Sequence, residues 1–173
     1  PAIDGSALTG IDTGIDWQAG AFLSTSASSI DWTGIPSTAE HVIIIAHDVS
    51  NDGSDWQYFR FGTSSGFITS GYGATVLYSS GNTTYQNSAT TANQDLGASW
   101  DYWGGTYSGV FHLRRVNSDI WSWHLASFRT DSGANSTIQT GSINLGGTLT
   151  QIRFFHNNSV NFTSGAMRIG YGT

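Results

Sequence analysis

The sequence predicts an all-β fold, an antiparallel β-sandwich of jelly-roll type. Apolar residues come in short runs rich in β-branched and aromatic side chains, and Gly, Ser, Asn and Asp clusters punctuate those runs at regular intervals. Helical periodicity is nearly absent. At 173 residues the chain fits one ordinary domain with a short appendage. It has no cysteine, so neither disulfides nor thiolate metal ligation contribute.

Residues 1–20 differ from the rest. Single apolar residues, Ile3, Leu8, Ile11 and Ile15, stand between Gly, Asp and Thr. Alone, such a segment buries too little surface to offset its ordering entropy. Three copies wound together could bury those four side chains against one another, which would make the segment the end of a shaft or a neck. A linker without a core is the alternative. Residues 21–173 are then the sandwich head.

Strands are expected near Ile30–Trp32, His41–His47, Trp56–Phe61, Ala74–Tyr78, Tyr107–Val116, Ile120–Arg129, Ser136–Leu145, Leu149–His156 and Ala166–Tyr171. Val42–Ala46 is the longest apolar run, far too short to span a membrane. Two hairpins are expected: at Val116–Asp119, whose Asn and Ser favour tight turns, and at Leu145–Thr148, whose paired glycines allow a type I′ turn. Alternation within Leu149–His156 puts Gln151 and Arg153 on a wetter face and Ile152, Phe154 and His156 on the other.

Charge narrows the function classes. Charged residues make up 10% of the chain, all six basic residues are arginine, and the formal net charge is −6. An acidic surface repels phosphate backbones and anionic lipid, so neither nucleic acid binding nor membrane insertion is expected. The remaining polar surface is Ser, Thr, Asn, Gln and Gly, neutral groups suited to polyhydroxylated neighbours.

Two aromatic clusters could carry binding chemistry. Trp100, Asp101, Tyr102 and Trp103 precede two glycines in a loop-like stretch. Rings accept sugar C–H faces while Asp, Asn or Gln bond the hydroxyls. The same tryptophans could instead plug an end of the sandwich or pack between subunits. In Ser54–Phe61, period-two alternation sets Trp56, Tyr58 and Arg60 on one side, a stripe suited to a glycan platform or a subunit interface. Trp121 and Trp123 share a strand face and read as core or interface.

Metal and catalytic signatures are weak. Asp48, Asn51, Asp52 and Asp55 surround Gly53 in a polar loop, but the full calcium-loop pattern is missing and a solvated turn is expected. The histidines at 41, 47, 112, 124 and 156 are dispersed at strand positions; His112 beside Arg114 could hold a structural metal or line an oligomer axis. Glu40 is the only glutamate, and Asp95 and Asp101 are the only carboxylates flanking the aromatic loop. No nucleophile elbow, P-loop or dinucleotide fingerprint occurs, so no cofactor, metal or enzymatic activity is expected.

Several segments resemble, in order, the heads of bacteriophage tail fibres. Ala2–Ile11 is similar to the A-x-D-G-S-x-L-T-G-I linker near fibre shafts. Ile30–Ser37, followed by Val42–Ile45 and the Val-Ser loop Asp48–Gly53, resembles the opening of a terminal domain in those fibres. Thr69–Tyr72, Asn117–Trp121, Gly147–Arg153 and Phe162–Tyr171 resemble its later segments, whereas Tyr78–Thr106 matches none. The resemblance implies a sandwich at the tip of a homotrimeric fibre in the virion, joined to other tail-fibre segments and contacting the host surface; it implies no defined ligand, and a host surface glycan is the partner that the aromatic clusters suit. Two other functions fit the residues: a carbohydrate-binding module of a secreted polysaccharide-degrading enzyme, and a purely structural trimerisation cap.

Overall fold

Val42–Ala46 lies inside the larger of two sheets in the computed structural model, which describes residues 14–17, 21–22, 27–53, 55–80, 83–89, 98–101, 105–131, 135–156 and 158–173. Among them the strands are β1 (Asp16–Trp17), β2 (Ala21–Phe22), β3 (Ser29–Thr33), β4 (His41–Asn51), β5 (Gln57–Thr63), β6 (Gly66–Phe67), β7 (Gly73–Ser80), β8 (Thr83–Ala89), β9 (Ala98–Asp101), β10 (Thr106–Arg115), β11 (Ile120–Arg129), β12 (Asn135–Asn144), β13 (Gln151–His156) and β14 (Phe162–Gly172).

The larger sheet runs β1-β14-β4-β10-β11-β12-β7-β8, with β2 also on β14. The smaller runs β3-β13-β5-β6, with β9 also on β5. Both are antiparallel and pack face to face as a sandwich. Each of the nine expected strands is present within a few residues of its expected bounds. The five not expected are the two-residue pieces β1, β2 and β6, the polar edge strand β8, and β9.

Alternation sets the core. Val42, Ile44 and Ala46 of β4 point inward, against Phe111 and Leu113 of β10 and Trp121, Trp123 and Leu125 of β11. The smaller sheet contributes Phe59, Phe61, Ile152 and Phe154. Ring contacts join the layers: Phe59 stacks on Phe111 at 4.4 Å between centroids and meets Phe154 at 4.7 Å. Trp123 meets Phe61 at 5.7 Å, and its indole N–H donates to Gln139 Oε1 at 3.3 Å. Trp121 and Trp123 are thus core residues.

Strand β4 bulges at Asp48, the one described non-glycine residue with positive φ, at 49°. The register shifts against β10 at Tyr107/Gly109 and against β14 on either side of Ser164. Gly165 sits at φ 115°, where an added Cβ would lie 2.6 Å from Val49 Cα. Only glycine admits that conformation and that approach together.

The Val116–Asp119 hairpin forms as expected: Asn117 Oδ1 accepts the Asp119 and Ile120 N–H groups at 2.9 and 2.8 Å. The Leu145–Thr148 hairpin does not. β12 belongs to the larger sheet and β13 to the smaller, so the glycine turn carries the chain between layers. Gly146 alone takes a positive φ there, and Leu145 and Leu149 are buried on either side of the turn. That burial drives the crossing; in a two-residue hairpin the leucines would stay on one sheet.

Candidate functional site

The Trp56, Tyr58 and Arg60 stripe maps to the start of β5, with Tyr58 and Arg60 on the outer face of the smaller sheet. Register lays that face out in rows. Asp31, Arg153 and Arg60 stand side by side across β3, β13 and β5. Ser29, Phe155, Tyr58 and Ser99 form the next row, reaching β9. Arg153 donates to Asp31 through Nε and Nη2 at 2.7 and 2.6 Å, and its guanidinium lies 4.5 Å from the Phe67 ring centroid. The Asp31 carboxylate holds the Arg153 pKa above its ordinary value. Arg60 sits 4.5 Å over the Phe155 ring. Like charges opposite each other normally repel; here each guanidinium has an aromatic face beneath it.

Trp56 and Arg60 are half-buried, but Tyr58 is only 1% exposed and presents no ring face to solvent. Burial raises its pKa, with the Asp55 charge adding to the effect. Trp100 and Asp101 lie in β9, where only the backbone is described; Ser99 and Asp101 pair with Tyr58 and Gln57. Tyr102, Trp103 and Asp95 lie outside the described residues, as do Ile3, Leu8 and Ile11 of the expected neck. Ile15 is described and half-buried, immediately before β1 pairs with Gly170 and Tyr171 of β14.

Beside Asp31 opens a cleft of about 480 Å³, lined by Trp32, Thr33, Gly34, Pro36, Ile169 and Tyr171. It combines two aromatic residues with a carboxylate at the open edge between the sheets. Trp32 carries a site signal that sequence reading passed over: a tryptophan in a short strand looks like core until its strand is known to be an edge.

The polar loop after β4 does not gather its carboxylates around one point. Asp55 accepts the Asn158 N–H at 2.7 Å and its Nδ2 at 2.9 Å. Asp52 accepts the Asn161 N–H at 2.8 Å, and that backbone bond is the main reason its pKa is lowered. Asp48 accepts the Thr130 hydroxyl at 2.8 Å. The carboxylates fasten neighbouring loops, and among the described residues no three His, Cys, Asp or Glu side chains are arranged to hold a metal ion.

Beneath this loop lies a buried polar pair. Gln57 and His156 are opposite each other in register and are 1% and 5% exposed. Among the described residues, neither the Gln57 amide nor either His156 ring nitrogen has a hydrogen-bond partner. His156 packs on Phe162 at 4.5 Å between centroids. Burial pushes its pKa down to about 4, against the opposing pull of Asp55 and Asp52.

No protein-family model and no curated protein sequence matches the chain. Its function is therefore argued from its own residues.

Proposed function

We propose that this chain is the distal head of a bacteriophage tail fibre, which recognises a host surface glycan and catalyses nothing. The observation that carries the reading is the order of the resembling segments. Those within the described residues fall on β3, β4, the turn before β7, the β10–β11 hairpin, β13 and β14 of one sandwich. Glycan recognition is supported by the cleft at Trp32, Asp31 and Tyr171 and by β9, whose pairing with β5 places the backbone of Trp100 and Asp101 at the edge of the smaller sheet. The neck expected at residues 1–20, which would join the head to the fibre, would lie before Gly14, because Asp16–Trp17 already pairs with β14 of the larger sheet.

Self-association of the head, as a homotrimer, is supported by the outer face of the larger sheet. Ile45, Leu77, Phe128 and Ile138 are 42%, 43%, 53% and 46% exposed, and all four lie there; Val116, in a turn, is the fifth large exposed apolar residue among those described. Ile45, Val110, Ala126, Ile138 and Leu77 form one row across five strands. That row and the two rows on its His41 side hold no carboxylate; the arginines in them are Arg168, at the β14 end of the row itself, and Arg114, two rows away. Six strands spaced by ~4.8 Å and about seven residues at ~3.3 Å give a face of roughly 670 Å², near the ~800 Å² per partner of a standard interface. The occupant is a second copy of this chain, and several weak glycan sites then act by avidity.

The test is a glycan array probed with the assembled full chain, alongside Trp103→Ala and Trp32→Ala. Retention of a defined glycan set, reduced at least tenfold by one of the two substitutions, is the expected result. If wild-type protein retains no glycan at all, the receptor reading is wrong.

A further inference from the structure

We propose that the groove between His41, His112 and Arg114, on the outer face of the larger sheet, binds the anionic group of a glycan, the carboxylate of an acidic sugar. The inference deepens the receptor reading and takes from it the source of the ligand; the chemistry is argued from the groove itself.

The sequence scatters these residues, but strand register gathers them. Arg114 of β10 stands opposite His41 of β4, and His112, two residues back on the same face, stands opposite His124 of β11. Four basic side chains thus form a block on three adjacent strands, one arginine and three imidazoles, with Arg114 across from His41 and His112 across from His124. Protonating His112 here gathers like charges, which is destabilising in an isolated sheet. Three other arginines are ion-paired: Arg115 with Glu40, Arg129 with Asp131 and Arg153 with Asp31. Arg114 has no ion-pair partner among the described residues. Among the described residues, no carboxylate stands in the rows of His41–Arg114 or His112–His124.

The block borders a groove. His41, Ile43, His112 and Arg114 line it, Val42 and Leu113 contribute to its floor, and Ile15 closes one side, in a volume of about 180 Å³. That is about six water volumes at ~30 Å³ each, enough for a carboxylate and the sugar carbon bearing it, with the rest of the ring outside. The Arg114 fork matches a carboxylate with two parallel hydrogen bonds, and a protonated imidazole on either side adds a donor. The apolar row of Ile45 and Val110 begins one row away, so the groove lies at the rim of the proposed contact between copies.

Charge predicts how the groove responds to pH. His112 is held below the ordinary imidazole value by burial first, then by His124, Arg114 and His41. Among the described side chains, the charged or titratable groups on this face within one row of His112 are His41 of β4, Arg114 of β10, His124 of β11 and Arg168 of β14. A bound anion attracts every one of them and favours protonated His112. A sugar carboxylate stays ionised well below neutrality, so affinity rises as pH falls from 7.5 to 5.5.

Titration calorimetry of the full chain with glucuronate, glucose and inorganic phosphate tests this. Glucuronate is expected to bind at least tenfold tighter than glucose, more tightly at pH 5.5 than at pH 7.5, and more weakly as salt is raised. Arg114→Gln should lose at least tenfold in glucuronate affinity with an unchanged melting temperature, and His112→Gln should flatten the pH response. Equal binding of glucuronate and glucose, binding of phosphate alone, or an Arg114→Gln variant that binds as wild type would each overturn the inference. A chain that retains only neutral glycans on the array would overturn it while leaving the receptor reading intact; a chain that retains none would sink that reading, and the glucuronate arm would still be read separately.

Discussion

Acidification should destabilise the sandwich, most strongly through His156. Its imidazole is buried at the end of the sandwich core, tilted against Phe162, with neither nitrogen partnered among the described residues. In the unfolded chain it titrates near 6.5, and in the folded chain near 4. Between those values the unfolded state binds the proton and the folded state does not, so stability falls as pH falls. The gap of roughly 2.5 pH units, at about 1.36 kcal/mol each, amounts to about 3 kcal/mol. The loss begins below pH 6.5 and is complete near pH 4; above 6.5 the residue imposes no pH dependence. Against a typical domain stability of ~5–15 kcal/mol, that is a large fraction. The assay is urea unfolding at fixed protein concentration from pH 7.5 to 4, comparing wild type with His156→Phe. Phenylalanine keeps a flat ring against Phe162 and cannot take up a proton, so the variant should lose about 3 kcal/mol less than wild type over the same range. It should also be no less stable at pH 7.5, because an orphaned buried polar group costs ~1–3 kcal/mol. The other side chains are common to both proteins, so their contributions cancel in the comparison. Parallel stability profiles for the two would refute the reasoning.

Two further outcomes are expected. Gly141→Ala places a Cβ within 2.5 Å of Trp123 Cε2 and against the Gly73 carbonyl, both fixed by the sheet, so urea unfolding should show a loss at or above the upper end of the ~1–3 kcal/mol typical of overpacking; a smaller loss would mean the indole shifts freely. Ile138→Asp sets a charge in the middle of the exposed apolar row, and light scattering should then find a single 18.5 kDa copy with an unchanged circular dichroism spectrum, whereas assembly identical to wild type would place the contact on another face.

What the sequence made legible was local. In β4, Val42, Ile44 and Ala46 alternate with His41, Ile43 and Ile45, and the burial follows that alternation. In β13 the division of Ile152, Phe154 and His156 from Gln151 and Arg153 holds as well. Alternation says which side chains share a face, but not what lies above it. Tyr58 was placed beside Trp56 and Arg60, yet it is buried on an outer face, as is Phe155 beside it at 5.6 Å. Nor does alternation say which strands are neighbours. His41, His112 and His124 look dispersed until β4, β10 and β11 are known to be adjacent. The Leu145–Thr148 turn went wrong for the same reason: paired glycines mark a reversal of direction, while its destination depends on which sheet needs the next strand. β8 was invisible because Thr83–Ala89 lies at a sheet edge and reads as a polar strand with no apolar face.

The two outer faces of the sandwich have opposite energetic character, and that asymmetry organises the functional reading. On the smaller sheet, charge is answered from within: Asp31 neutralises Arg153, and Phe67 and Phe155 lie under the two guanidinium groups. Such a face offers a ligand shape, through the Trp32 cleft and the edge at β9, more than it offers unbalanced charge. On the larger sheet little is answered. Four large apolar side chains are exposed, and beside them His41, His112, His124 and Arg114 face one another with no carboxylate in their rows. An isolated protein gains nothing from the exposed row, since exposed apolar rows promote association, and protonating the imidazoles beside Arg114 costs stability. Each would become favourable only when something else arrives: a second apolar surface for the row, an anion for the block. The partners proposed above, a second copy and an acidic sugar, are those that would remove these two costs.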